Sequence, residues 1–168
     1  MLNYLAKITL QSKIARENLS RQKKFIGWDN IEKIALVLGQ EDSINKSSID
    51  KFIDETKKFV EVFYVEPNSK QASFGDWQCF YKKDKSFLSL PKKSVHDELK
   101  NKKFDVVINT SGERDFFSVA VTSSLKAYLK CGRNNMFNDL DLIIKKTEPF
   151  VLGNYLNDTV KYLKMIKV

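Results

Sequence analysis

The sequence predicts an α/β protein: a three-layer αβα sandwich around a mainly parallel, doubly wound sheet of five or six strands, preceded by a basic N-terminal helix. Three observations carry that prediction. Several short runs are apolar at every position instead of alternating, as strands covered on both faces must be. They alternate with stretches whose apolar residues recur at helical spacing. Finally, 168 residues with 42% hydrophobic side chains can bury one domain-sized core without a disulfide or metal staple. Only six Gly and three Pro occur, which argues against linkers or a loop-built scaffold.

Residues 1–28 read as the basic amphipathic helix. Six cations stand against one carboxylate in residues 1–24, so this segment holds more than half of the net +8. At about 100° per residue, Tyr4, Leu5, Ile8, Ala15 and Leu19 share a stripe that excludes Leu10 and Ile14. The stripe is expected to cover an apolar patch on the domain or on a second copy, leaving Lys7, Lys13 and Arg21 in water. Tyr4, Leu5, Lys7, Ile8, Lys13 and Arg16 are the candidate interaction residues. A homodimer or protein partner, an anionic membrane surface and a polyanion all fit such a helix.

The remaining elements follow in order within a single domain, residues 29–168. Residues 34–38, Ile-Ala-Leu-Val-Leu, form a continuous apolar run ending at Gly39, which suits a buried strand. Ser47 or Ser48 can cap the next helix, where Ile49, Phe52, Ile53 and Thr56 share a face. Residues 60–65 make a second strand, stopped by Pro67. A short polar helix over 94–101 precedes a third strand at 104–109. Asp115 caps a helix whose Phe116, Phe117, Ala120, Val121 and Ser124 face one way. Residues 128–131 and 140–144 are two further strands. The last helix begins near Pro149 and buries Leu152, Tyr155 or Leu156, Val160 and Leu163. Right-handed crossovers then favour a strand order resembling 3-2-1-4-5, a Rossmann-like arrangement.

Residues 66–95 interrupt this rhythm. Phe74, Trp77, Phe80, Tyr81 and Phe87 interleave with Lys82, Lys83 and Lys85. Such a mixture can stack on bases, but these rings are expected to cover a sheet edge, with 87–90 as a short strand.

Little in the chain supports catalysis. Cys79 and Cys131 are isolated and read as free thiols in a reducing cytoplasm. His96 is the single histidine; it is expected on the surface, and adjacent Asp97 cannot face it on a helix. One His and two scattered Cys do not make a zinc site. No stretch approaches the length of a membrane span, and nothing resembles a dinucleotide or Walker loop. Neither cofactor nor metal is expected. If a ligand binds, the fold directs it to the carboxyl ends of the strands where their order reverses. That crevice lies between loops 39–43 and 110–115, with Gly39, Glu41, Ser43, Ser111, Gly112, Glu113 and Arg114 as candidates.

Three segments carry a resemblance: residues 33–39 (KIALVLG), 103–109 (KFDVVIN) and 128–133 (YLKCGR). With the basic leading helix, they resemble a bacterial family of small α/β proteins described only as a domain of unknown function. The same progression is similar to the amino-terminal half of heptosyltransferase-like glycosyltransferases. Those enzymes hold their donor nucleotide chiefly in a second domain, for which no sequence remains after Ile144 beyond one helix. The resemblance therefore implies the fold and argues against the activity. The sequence favours a non-enzymatic cytoplasmic domain acting through protein or polyanion contacts; the alternative is a small ligand-binding protein or enzyme using the crevice.

Overall fold

The computed structural model describes residues 2–39, 46–66, 74–112, 115–145 and 149–167, without the side chains of Leu2 and Asn3. The elements run α1 (Leu2–Ser20), β1 (Lys33–Leu38), α2 (Lys46–Thr56), β2 (Phe59–Val65), β3 (Gln78–Phe80), α3 (Lys93–Asn101), β4 (Lys103–Asn109), α4 (Phe116–Ser124), β5 (Lys126–Gly132), β6 (Leu142–Ile143) and α5 (Leu152–Met165). The six strands form one parallel sheet in the order β3-β2-β1-β4-β5-β6. The chain winds outward from β1 to β3, then returns beside β1 and winds out the other way.

β1 shows why its run is apolar throughout. Ile34, Leu36 and Leu38 point into a cluster completed by Ile49 and Phe52 of α2 and Leu152, Leu156 and Leu163 of α5. Ala35 and Val37 point to the opposite face, against Leu99 of α3 and Phe117 and Val121 of α4. A strand in this position has no solvent side on which to put a polar residue. Asp115 caps α4 as expected: its carboxylate accepts from the Ser118 backbone N–H at 2.9 Å and the Ser118 hydroxyl at 2.6 Å.

The basic helix turns a different face to the domain from the one its stripe predicts. Ala6, Leu10 and Ile14 are the buried row, and Leu10 and Ile14 pack on Val119, Ala120 and Phe137. Tyr4, Leu5, Ile8 and Leu19 are 68, 50, 42 and 89% exposed. The physical reason lies in α4, which carries no charged residue and is buried from Phe117 to Ser124. A helix with no polar side needs a cover on the face away from the sheet, and α1 is that cover. The projection also treated Lys13 and Arg21 as solvent-facing, whereas the domain supplies partners for both.

Several boundaries differ from the sequence reading. The basic helix expected over residues 1–28 ends at Ser20, because the chain then turns extended and its Lys24 N–H donates to the Tyr128 carbonyl. β5 starts at Lys126, two residues earlier than expected. The last strand is two residues, Leu142–Ile143, because Leu140 and Ile144 are buried from irregular backbone. Residues 87–90 form a turn, with Phe87 80% exposed and Ser89 at φ 59°; β3 takes the edge position instead, paired with Phe63–Val65 of β2. α2 is already helical at Lys46, so Ser47 and Ser48 lie inside it rather than capping it. α5 begins at Leu152, with Val151 as its N-cap, three residues beyond Pro149.

The aromatic segment does serve as cover. Phe74 and Trp77 stack at 5.4 Å and both meet Tyr64 edge-on. Phe80 stacks on Phe63 at 6.3 Å.

The reversal of α1 is directly measurable. Leu10→Ala should destabilise the protein by about 2–5 kcal/mol, the range for emptying a packed leucine site. Leu19→Ala should change stability by less than about 0.5 kcal/mol. Urea unfolding of both variants checks the pair; equal losses would show that the buried row is misassigned.

Candidate functional site

Only part of the crevice expected at the strand carboxyl ends falls among the described residues. Gly39, Ser111 and Gly112 are buried. A Cβ on Gly39 would meet Ser111 Cβ at 2.7 Å, Ser111 Cα at 3.0 Å and an Asp115 carboxylate oxygen at 2.6 Å. Glycine is therefore required by close approach of two backbones, and the two loops touch at that point. The Arg133 Nε–H donates to the Ser111 carbonyl at 3.1 Å, and its guanidinium lies 4.0 Å over Phe150. Glu41, Ser43, Glu113 and Arg114 lie outside the described residues.

An open cleft of about 680 Å³ lies at the other end of the sheet. Strand direction explains its charge. In a parallel sheet connected by helices, strand amino ends and helix carboxyl ends lie together. Cations are favoured beside helix carboxyl ends. The neighbouring strands β1, β4 and β5 each begin with a lysine, Lys33, Lys103 and Lys126. All three line the cleft with Lys100, Arg21 and Lys130, against the carboxylates Glu17, Glu32 and Asp105. Lys33, Lys100, Lys103 and Lys126 are exposed and make no ion pair among the described residues. Asp105 is committed elsewhere, accepting from the backbone N–H groups of Glu32 and Lys33 at 2.8 Å each.

Beneath the cleft runs a buried charge network. Arg21 grips Asp141 with two hydrogen bonds, at 2.7 and 2.6 Å. Asp141 also accepts from the Lys130 backbone N–H at 2.9 Å, and these bonds hold its carboxyl below the ordinary range despite its burial. The Lys130 side chain is fully buried and donates to the carbonyls of Thr122 and Ser123, at 2.8 and 3.0 Å. It thereby satisfies the last turn of α4. Burial, with Arg21 nearby, lowers its pKa to about 7. Asp139 is 2% exposed, and among the described residues neither carboxylate oxygen finds a side-chain partner. Burial raises its pKa to about 6.

A second polar contact joins α1 to the domain. The Lys13 ammonium donates to Ser124 Oγ at 3.0 Å and lies 3.2 Å from His96 Nδ1, which is itself 3.0 Å from Ser124 Oγ. Glu17 approaches His96 Nε2 at 3.9 Å. Lys13 and Arg21 are thus bound rather than solvated, and His96 is half-buried rather than a free surface histidine. Burial pushes the His96 pKa down, and Lys13 pushes it further. Lys7 and Arg16 do remain exposed. Cys79 is half-buried and Cys131 buried, where burial lifts the thiol to about 12 and keeps it protonated. Among the described residues no cluster of His, Cys, Asp or Glu could hold a metal ion, and no helix is long and apolar enough to cross a membrane.

Residues 3–166, from α1 through α5, match the family of unknown function DUF6913. The chain belongs to the DUF6913 family. No curated protein and no solved structure matches it, so the glycosyltransferase likeness rests on the strand pattern alone. The DUF6913 match includes the basic helix, in keeping with the cover it supplies to α4.

The network of this DUF6913 chain was not legible by motif, because Arg21, Lys130, Asp139 and Asp141 show no family spacing. One signal was available: lysine within the otherwise apolar YLKCG run of β5 must be buried and partnered, or the run is no central strand. Titration follows from the two shifts. Lys130 holds its proton less tightly folded than unfolded, so its contribution to stability grows as pH rises above about 7. Asp139 holds its proton more tightly folded, so its contribution is lost as pH rises through about 6. The melting temperature of the wild type minus that of Lys130→Met/Asp139→Asn should be lowest between about pH 6 and 7. Calorimetry across pH 4–10 on both proteins checks this; a pH-independent difference would show that the pair does not titrate in the fold.

Proposed function

We propose that the protein is a non-enzymatic binding module that holds a multiply charged anion in the cleft at the amino ends of β1, β4 and β5. One observation carries this reading: Lys33, Lys103 and Lys126 begin neighbouring strands around a common opening and make no ion pair among the described residues. Like charges around one opening repel one another, the cations outnumber the carboxylates there, and a bound anion reduces that cost. The volume, about 680 Å³, falls in the range of small-molecule sites, so a compact polyanion fits better than a duplex. The lysines supply attraction without bidentate geometry, which suits phosphate oxygens approached as point charges. A reducing, cytoplasmic setting is supported by the two free cysteines, Cys79 and Cys131. The alternative crevice has less support, because Gly39 and Ser111 leave no room for a methyl group between them.

Isothermal titration with tripolyphosphate and with inorganic phosphate tests the reading. Tripolyphosphate should bind the wild type, weaken steeply with added salt, and outcompete phosphate. Lys33→Gln/Lys103→Gln/Lys126→Gln should lose about tenfold in affinity at unchanged melting temperature. Absence of wild-type binding at low salt, or equal binding by the triple variant, would overturn it.

A further inference from the structure

We propose that the outward face of α1 is a docking surface for anionic lipid, separate from the cleft. The helix is apolar on two opposed sides. One carries Ala6, Leu10 and Ile14 and is spent on α4. The other carries Tyr4, Leu5, Ile8, Ala15 and Leu19, all exposed, with Leu19 at 89%. A stripe of that width along 19 residues, about 28 Å of helix, is far more than scattered surface apolars require.

Charge selects the occupant. Lys7 and Arg16 flank the stripe on either side. Exposed Lys23, Lys24 and Phe25 extend the same mixture beyond the helix end. The one carboxylate of α1, Glu17, is turned inward to His96. The outward face therefore presents cations and apolar groups with no acid among them. A second copy docked symmetrically would bring this face against itself, cation to cation without a neutralising carboxylate. An anionic bilayer surface answers both components: headgroups receive Lys7 and Arg16, while the projecting side chains enter the acyl boundary without needing a matching pocket. Because α1 is fastened to α4 at its middle, through Leu10, Lys13 and Ile14, its opposite face is left free to present the stripe.

Cosedimentation of the full chain tests this, using vesicles of phosphatidylcholine alone and of phosphatidylcholine mixed with an equal part of phosphatidylglycerol. The wild type should pellet with the mixed vesicles and not the neutral ones, and added salt should release it. Lys7→Gln and Arg16→Gln should each weaken binding roughly fivefold. Tyr4→Ser/Ile8→Ser/Leu19→Ser, which leaves the α4 contact untouched, should abolish it with an unchanged circular dichroism spectrum. The cleft variant Lys33→Gln/Lys103→Gln/Lys126→Gln should bind vesicles like the wild type. The proposal is overturned if mixed and neutral vesicles bind alike, if the serine variant still pellets, or if the cleft variant is the one that fails. A light-scattering mass that is doubled in the wild type and monomeric in the serine variant would also overturn it, by showing that a second copy covers the face.

Discussion

The structure depends on β1 being hydrogen-bonded on both edges and covered on both faces. β2 and β4 pair with it in parallel, and five of its six residues are buried. A parallel neighbour cannot be reached by a tight hairpin, so each connection must cross the sheet. The crossings into β2, β4 and β5 carry α2, α3 and α4, and these helices with the terminal α5 exclude water from both faces of β1. α3 and α4 take one face, α2 and α5 the other. One consequence propagates outward: α4 lies so deep that its far side is also apolar, and α1 is required to close it.

The same directional constraint sorts the charge. Every crossing helix returns to the end where the next strand begins, so lysines that follow helices and lysines that open strands fall on one end of the molecule. Six cations thus line one cleft, facing three carboxylates. At the opposite end, where ligands of open α/β sheets usually sit, Gly39 and Ser111 are in contact.

Between the two lies the buried polar network. Arg21 and Asp141 satisfy one another, and Lys130 satisfies the end of α4, whereas Asp139 is held by its surroundings without a hydrogen-bonding side chain. Burying such groups costs stability unless each finds a partner. What they contribute is specificity: Arg21 fixes the end of α1, and Lys130 ties β5 to the helix before it. The Lys13–Ser124 and Arg21–Asp141 bonds both form with the Leu10 side of α1 turned to the domain.

The sequence by itself determined the four central strands of the sheet, and not its edges. Runs such as IALVL and FDVVIN admit no reading but strands covered on both faces, and Asp115 marks its helix start through local hydrogen bonding. These features depend on neighbours along the chain, which a sequence displays. Tertiary structure alone decided which side of α1 is buried, because two opposed stripes compete and only the shape of α4, with Ser124 and Asp141 to receive Lys13 and Arg21, separates them. It also decided the cleft, since Lys33, Lys103 and Lys126 are far apart in the chain and come to one opening only when parallel pairing sets Lys103 opposite Lys126 and β1 beside β4.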